Sequence, residues 1–280
     1  VAETLFETAG DRWTPTKLSR GPWDARHCHG GPVGALLARA VERFGDGPDD
    51  PDDPGWHVAR LTIELMRPVA VGVPLEVRTE LERPGRRVSL VGATLWAEGA
   101  EVARTRALRI RRDEQTLPDG TVHVDDPPPP DPETSPTSPA RWRAGWVTNS
   151  DTAFHSHAVE HRYVTGNIDV PGPAEVWIRL VVDVVPAEEP SGLQRVIAAA
   201  DFGNGVSAGV DDGYSFINPD LTVHLARPAI GEWVGMRSHT HYGEAVDGGG
   251  FVGVGIAESA LYDGDGRIGR SVQSILVSRR

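Results

Sequence analysis

The sequence predicts an α+β fold built twice over, on three observations. First, Leu61-Thr-Ile-Glu-Leu-Met-Arg-Pro68 and Leu221-Thr-Val-His-Leu-Ala-Arg-Pro228 agree at Leu, Thr, the second Leu, Arg and Pro, at an ungapped offset of 221 − 61 = 160 residues. A glycine follows each copy, Gly72 and Gly231. Two copies of one strand–turn unit in 280 residues point to a duplicated domain, because a solenoid needs several shorter repeats. Chance is the alternative for so short a match, and the similar surroundings of the two copies count against it. Second, each half offers one helix followed by alternating strands. Third, residues 113–139, with Pro127-Pro-Pro-Pro130 at their centre, form an extended segment too rich in proline to bury a core. Domains at 1–112 and 141–280 with a linker at 113–140 follow.

In chain order, Phe6 to Arg26 shows little periodicity and reads as a strand or two and a loop. His27-Cys-His-Gly-Gly-Pro32 leads into a helix whose apolar positions Val33, Leu36, Leu37, Ala40, Val41 and Phe44 recur at helical spacing. Pro32 suits the first turn, and Gly30 and Gly31 allow a close backbone approach before it. After an acidic loop from Gly45 to Gly55, strands are predicted at 57–66, 74–83, 87–98 and 101–111. Val77, Thr79 and Leu81 alternate with Glu76, Arg78 and Glu80 as on a half-buried strand. The second half repeats the plan. Strands at 158–164 and 175–184 precede a helix over 191–202 and a Gly-rich loop over 203–213. Strands at 215–226, 233–242, 251–262 and 267–277 follow, the last two joined at Asp263-Gly-Asp-Gly266, a strong hairpin signal.

Composition removes whole classes of function. A net charge of −12 argues against general nucleic-acid binding, which requires a basic surface. No apolar run approaches the roughly 20 residues of a membrane span. The first residues lack the blocks of a signal peptide, so a cytoplasmic protein is the simplest reading. Cys28 is the sole cysteine and Lys17 the sole lysine. That excludes a disulfide framework, a multi-cysteine metal site, Schiff-base chemistry and a P-loop. No Gly-x-Ser-x-Gly elbow is present.

Four motifs in order carry a family resemblance: His29-Gly-Gly-Pro32, Ala200-Asp-Phe202, Asn218-Pro-Asp-Leu-Thr-Val-His-Leu-Ala-Arg-Pro228 and Gly269-Arg-Ser-Val-Gln-Ser274. With them the chain resembles the double hotdog proteins of the acyl-CoA thioesterase II type, over essentially its whole length apart from the linker. The resemblance implies a tandem hotdog, two antiparallel sheets each wrapped around a long helix. It also implies hydrolysis of fatty acyl-CoA to free acid and CoA, within fatty acid metabolism. Carried over by position, the catalytic residues would be Asp201, Asn218 and Gln273. The Asn218 position is often threonine in the family; asparagine keeps a hydrogen-bonding side chain and lacks the hydroxyl. No cofactor or metal is implied. The acyl-CoA is the expected partner, and the oligomeric state stays open, a homo-oligomer included.

The residues themselves bear on those roles. Thioester hydrolysis needs a base or water-orienting group and donors for a developing oxyanion. Asp201 ends an Ala-rich helix, where half-burial would raise its pKa toward useful base strength. Alternatively it opens the Gly203–Gly205 turn, although an acid is unfavourable at a helix C-terminus. Gln273 shares a strand face with Ile275 and could hold a water by donating and accepting at once, or simply face solvent. Asn218 before Pro219 is biased to extended backbone that could aim it into a cleft, or merely starts a strand. Gly30 and Gly31 at a helix N-terminus offer amides to the thioester carbonyl, or make a tight turn. His29 could donate to the same oxyanion or serve as a structural hydrogen-bonder. A Cys28 nucleophile flanked by His27 and His29 is disfavoured, because chain neighbours rarely present side chains to each other.

His155, His157 and His161 lie close in sequence, and His239 and His241 share a strand face, but no carboxylate or cysteine pattern completes a metal site. Trp142, Trp146 and Trp177 read as packing residues. Two rivals remain. A hotdog hydratase or dehydratase would need a histidine with a carboxylate, and His29 has no aspartate a few residues on. A non-catalytic acyl-CoA binding protein would keep the groove without turnover.

Overall fold

The computed structural model of the protein describes residues 3–45, 55–122, 124–136, 152–168, 170–210, 213–243, 245–246 and 250–280. Trp142 and Trp146 lie outside the described residues. Two short strands, β1 (Phe6–Ala9) and β2 (Arg12–Pro15), precede helix α1 (Gly30–Glu42). The strands β3 (Trp56–Leu65), β4 (Leu75–Arg83), β5 (Val88–Ala97) and β6 (Ala100–Arg111) form the expected antiparallel meander. A five-residue π-helix at Phe154–Ala158 then leads into β7 (Val159–Asn167) and β8 (Val170–Leu180).

Helices α2 (Gly192–Ala200) and α3 (Gly203–Ser207) follow, so the predicted Gly-rich loop begins as a further helical turn. The predicted strand 215–226 is two strands, β9 (Tyr214–Ile217) and β10 (Asp220–Leu225), broken at Asn218-Pro219. Pro219 has no N–H to contribute to a ladder, which accounts for the break. After β11 (Trp233–Tyr242) come a small hairpin of β12 (Ala245–Val246) and β13 (Gly250–Phe251), then β14 (Val254–Asp263) and β15 (Gly266–Arg279). The Asp263–Gly266 turn joins the last two strands as expected.

The antiparallel sheets expected of the two halves are joined into one. Among the described residues thirteen strands make one antiparallel sheet, in the order β1-β2-β4-β5-β6-β3-β10-β15-β14-β11-β8-β7 with β9 added on β15. The seam is the sequence repeat itself. Strand β3 pairs with β10 so that Leu61 lies opposite Val223, Thr62 opposite Thr222 and Ile63 opposite Leu221. Thr62 therefore meets its own counterpart across a local two-fold axis, as an isologous contact requires. On either side the order β4-β5-β6-β3 is mirrored by β10-β15-β14-β11. The seam joins two central strands, so neither half presents an open edge there.

Helices α1 and α2 run antiparallel beside each other: His29 at the start of α1 meets Asp201 at the end of α2, and Ser191 at the start of α2 donates to Glu42 at the end of α1 (2.7 Å). They come close because α1 carries glycines on the contact face. A Cβ on Gly31 would lie 2.9 Å from the Ala198 carbonyl oxygen, and one on Gly34 would lie 2.7 Å from Ile197 Cγ2. Val33, Leu36, Leu37 and Val41 of α1 and Val196 and Ile197 of α2 belong to one continuous core with Leu61, Ile63, Leu221 and Val223 of the seam.

Two further expectations change. Leu81 is 44% exposed and most of β4 faces solvent, so its alternation does not mark a buried face. The proline-rich segment, expected only as an extended linker, is pinned to the second half: Tyr262 donates to Asp126 (2.8 Å) and Trp177 Nε1 donates to the Pro130 carbonyl (2.7 Å). Trp177 is a packing residue, as expected, and is almost fully buried.

Candidate active site

Asp201 occupies the break between α2 and α3, where it caps the first helix. Its side chain is 2% exposed, yet it is surrounded by donors. His29 Nδ1 stands 2.6 Å from Oδ2. Asn218 Nδ2 donates to Oδ1 at 2.7 Å. Gln273 Nε2 donates to Oδ1 at 3.3 Å and to the Asp201 backbone oxygen at 3.2 Å. Burial by itself would raise the Asp201 carboxyl, but the His29 charge and the hydrogen bonds of His29, Asn218 and the Gly31 N–H outweigh it, leaving the group below its ordinary value of 3.8. The expected upward shift toward base strength does not occur, because four donors stabilise the anion that burial would disfavour.

The Gly31 N–H also lies 3.1 Å from His29 Nδ1. One ring nitrogen cannot accept from Gly31 and donate to the carboxylate at once. The carboxylate contact is the shorter and charge-assisted one, so the proton belongs on Nδ1 and the Gly31 N–H serves the carboxylate. Both contacts are made at Nδ1, so His29 Nε2 is the ring position left open among the described residues. The same assignment removes Gly31 from the oxyanion role anticipated for it. The Gly30 N–H, at the first position of α1, has no intramolecular partner among the described residues. A Cβ on Gly30 would lie 2.7 Å from Asp201 Oδ2, so only glycine leaves the carboxylate in place.

Tertiary packing fixes each group. The His29 ring lies between Phe154 and Phe202, with centroids 5.1 and 4.8 Å away. Its backbone N–H donates to Ser19. Asn218 is held at the β9–β10 break, where the Pro219 carbonyl accepts from Leu65 N–H of the other half (2.7 Å). Gln273 is 1% exposed and accepts from Asn204 N–H at 3.2 Å. Thr240 donates to Asn204 Oδ1 (3.1 Å) and shares a 2.8 Å hydrogen bond with Ser207, bracing α3 against β11.

A cavity of about 310 Å³ opens onto these groups. His29, Gly30, Asp201 and Asn218 line it, and its walls are largely apolar, with Trp23, Val33, Leu65, Val69, Phe202 and Phe216 among them. Such a pocket, apolar with a few convergent polar groups, suits a small-molecule substrate. Gln273 and Gly31 stand behind the wall and contact Asp201. Cys28 also borders the cavity, but burial pushes its thiol up to about 12, which removes it as a nucleophile.

Sequence reasoning named the six residues and missed their central contact. His29 and Asp201 are 201 − 29 = 172 residues apart, and nothing in the local spacing joins them. It also missed Phe154 and Phe202 as walls of the histidine. Phe154 sits in a π-helix outside any hydrophobic period, a frequent place for functional residues. The histidine triplet 155, 157 and 161 makes no metal-binding group among the described residues, whereas His239 and His241 acquire a carboxylate, Glu258, from β14. That corrects the expectation that no carboxylate completes the pair. No helix among the described residues is long and apolar enough to cross a membrane.

Comparisons with known proteins accord with this geometry. The model of the acyl-CoA thioesterase N-terminal domain matches residues 19–110, and that of the acyl-CoA thioesterase C-terminal domain matches residues 123–277. The chain superposes on a Thermobifida fusca protein described as a thioesterase II, with TM-score 0.69 and 18% identity over 99% of this chain and 96% of that one. An Alicyclobacillus acidocaldarius protein with a hot dog fold gives TM-score 0.68 and 15% identity over 98% of this chain and 96% of that one. An acyl-CoA thioesterase II from Mycobacterium marinum gives 0.57 and 16% over 100% and 96%. At these identities the structures show a shared fold. Comparison with curated proteins found no match. The two family models together span nearly all of the chain, on both sides of the paired seam, and the protein belongs to the acyl-CoA thioesterase family.

Proposed function

We propose that this acyl-CoA thioesterase hydrolyses its substrate by direct attack of water, with His29 as the base and Asp201 as its paired carboxylate. The observation that carries this reading is the 2.6 Å contact between His29 Nδ1 and Asp201 Oδ2 at the cavity wall. A carboxylate held below its ordinary value is a weak proton acceptor and a good counter-ion. It fixes the proton on Nδ1, so Nε2 can take one from water, and it stabilises the imidazolium that results. The water oxygen adds to the thioester carbonyl carbon. The oxyanion forms beside the Gly30 N–H at the positive end of α1. Collapse breaks the C–S bond, and the imidazolium returns its proton to the departing thiolate. Free acid and CoA result. Asn218 borders the cavity and both orients Asp201 and reaches the water side; Gln273 positions Asp201 from behind.

One observation favours a second assignment of the base: Asp201 and Asn218 both line the cavity, so the carboxylate could orient the water itself. Free-thiol release from acyl-CoAs of short to long chain separates the two. With His29 as base, His29→Gln and Asp201→Asn each lower kcat by about 10²–10⁴-fold. If His29→Gln keeps near-normal turnover while Asp201→Asn is inactive, the carboxylate acts directly. If both variants retain turnover, the proposed site is wrong.

The structure weakens one sequence argument against the hydratase rival, since His29 does have a carboxylate, supplied from the other half. Hydration of an enoyl-CoA without thiol release would favour that rival. Binding without either reaction would favour the non-catalytic one. The two family matches part between residues 110 and 123, and the second takes in most of the proposed linker at 113–140, so the proline-rich segment goes with the second half in this reading.

A further inference from the structure

Strand β11 carries His239 and His241 two residues apart, so both side chains leave the same face. The alternate residues Ser238 and Thr240 turn the other way, where Ser238 bonds Ser259 and Thr240 bonds Asn204 and Ser207. The histidines therefore lie on the sheet face opposite the hydrolytic site. In the antiparallel register β14 sets Glu258 directly across from His239. One ligand atom from each of His239, His241 and Glu258 lies within 4.8 Å of the others. His239 Nε2 is 3.5 Å from Glu258 Oε2, and the two imidazoles meet edge to face with centroids 4.9 Å apart. His239 and Glu258 are partly exposed at 45% and 32%, so solvent ions reach the group.

A tetrahedral ion at about 2.0–2.2 Å from nitrogen and oxygen donors holds them about 3.3 Å apart. The donors need a small rotamer adjustment to reach that spacing, and partly exposed side chains allow it. Two imidazoles and one carboxylate suit zinc and its first-row neighbours, whereas Ca²⁺ and Mg²⁺ prefer oxygen-only sets. Arg270 Nη2 sits 2.5 Å from Glu258 Oε1. It draws charge from the carboxylate, yet it holds that oxygen and leaves Oε2 on the histidine side, as outer partners of metal ligands commonly do.

We propose that His239, His241 and Glu258 form a surface site for a divalent transition-metal ion, with Zn²⁺ the best-matched, that ties β11 to β14. The site is independent of the hydrolytic reaction and stands or falls separately from it.

The test uses the full chain after treatment with chelator. Calorimetric titration with Zn²⁺ is expected to show one saturable site per chain, with none for Mg²⁺. Co²⁺ is expected to develop the visible absorption of a low-symmetry site. His241→Ala and Glu258→Gln should each weaken Zn²⁺ binding by at least about tenfold. Zn²⁺ should raise Tm in the parent and not in the double variant His239→Ala/His241→Ala. Saturable binding that survives the double variant would assign the ion to other histidines and overturn the proposal, as would the lack of any saturable Zn²⁺ binding. Circular dichroism of the variants distinguishes a lost ligand from a lost fold.

Discussion

Asp201 is a buried acid that stays charged, and its donors set how pH acts on it. Its folded carboxyl lies below the ordinary 3.8, so the stability it contributes is fully present above that value and is lost as pH falls through the lower folded value. The stability deficit of Asp201→Asn, measured by urea denaturation, should hold constant through neutral pH and narrow only at pH below about 3.8. His161 has the opposite sign. It packs edge to face on Phe202 (centroids 4.9 Å apart), and burial pushes its imidazole down from 6.5 to about 3. The unfolded chain takes up a proton there that the folded chain refuses, so stability drains away as pH falls from 6.5 toward 3. His161→Phe should flatten the stability profile in that window.

Helix α1 works through its glycine face. The Ala198 carbonyl and the Phe154 ring occupy the space a Cβ on Gly31 would need, at 2.9 and 2.8 Å. A backbone oxygen cannot yield as a flexible side-chain tip can. Gly31→Ala should therefore cost about 1–3 kcal/mol by overpacking, less up to about 1 kcal/mol gained in helix propensity, as read from the urea midpoint. The helix end also explains the reactive placement. Because α2 runs antiparallel to α1 and ends at Ala200, Asp201 lies at the N-terminus of α1.

Across the whole molecule the site belongs to neither half. His29 and Gly30 come from the first, Asp201, Asn218 and Gln273 from the second, and the β3–β10 seam holds the two in register. Residues 1–112 or 113–280 produced alone should release no thiol from any acyl-CoA. Each would also expose a central strand, β3 or β10, as an open edge, so aggregation is the expected result by light scattering. Turnover by the second half alone would show that His29 is dispensable. The other end of the helix pair carries a different set of side chains. There Ser191 and Gln194 face Glu42, and Arg39 and Arg43 engage Glu188.

The sequence by itself determined the elements and their order. Strand alternation, the helical stripe from Val33 and the Asp263–Gly266 turn are local patterns, and local patterns survive translation into structure. It also named the residues that converge at the cavity wall, through motifs at a helix start, a helix end, a strand break and the last strand. The repeat around Thr62 and Thr222 was legible as duplication, but that the two copies pair with each other was not, because register depends on which strands meet. The partnership of His29 with Asp201 and the burial of Gln273 lay equally out of reach. So did the downward shift of the Asp201 carboxyl and the arrival of Glu258 beside His239. Each depends on groups from distant parts of the chain. Distance, burial and donor count are properties of the folded arrangement, and only the joined sheet and the antiparallel helix pair decide them.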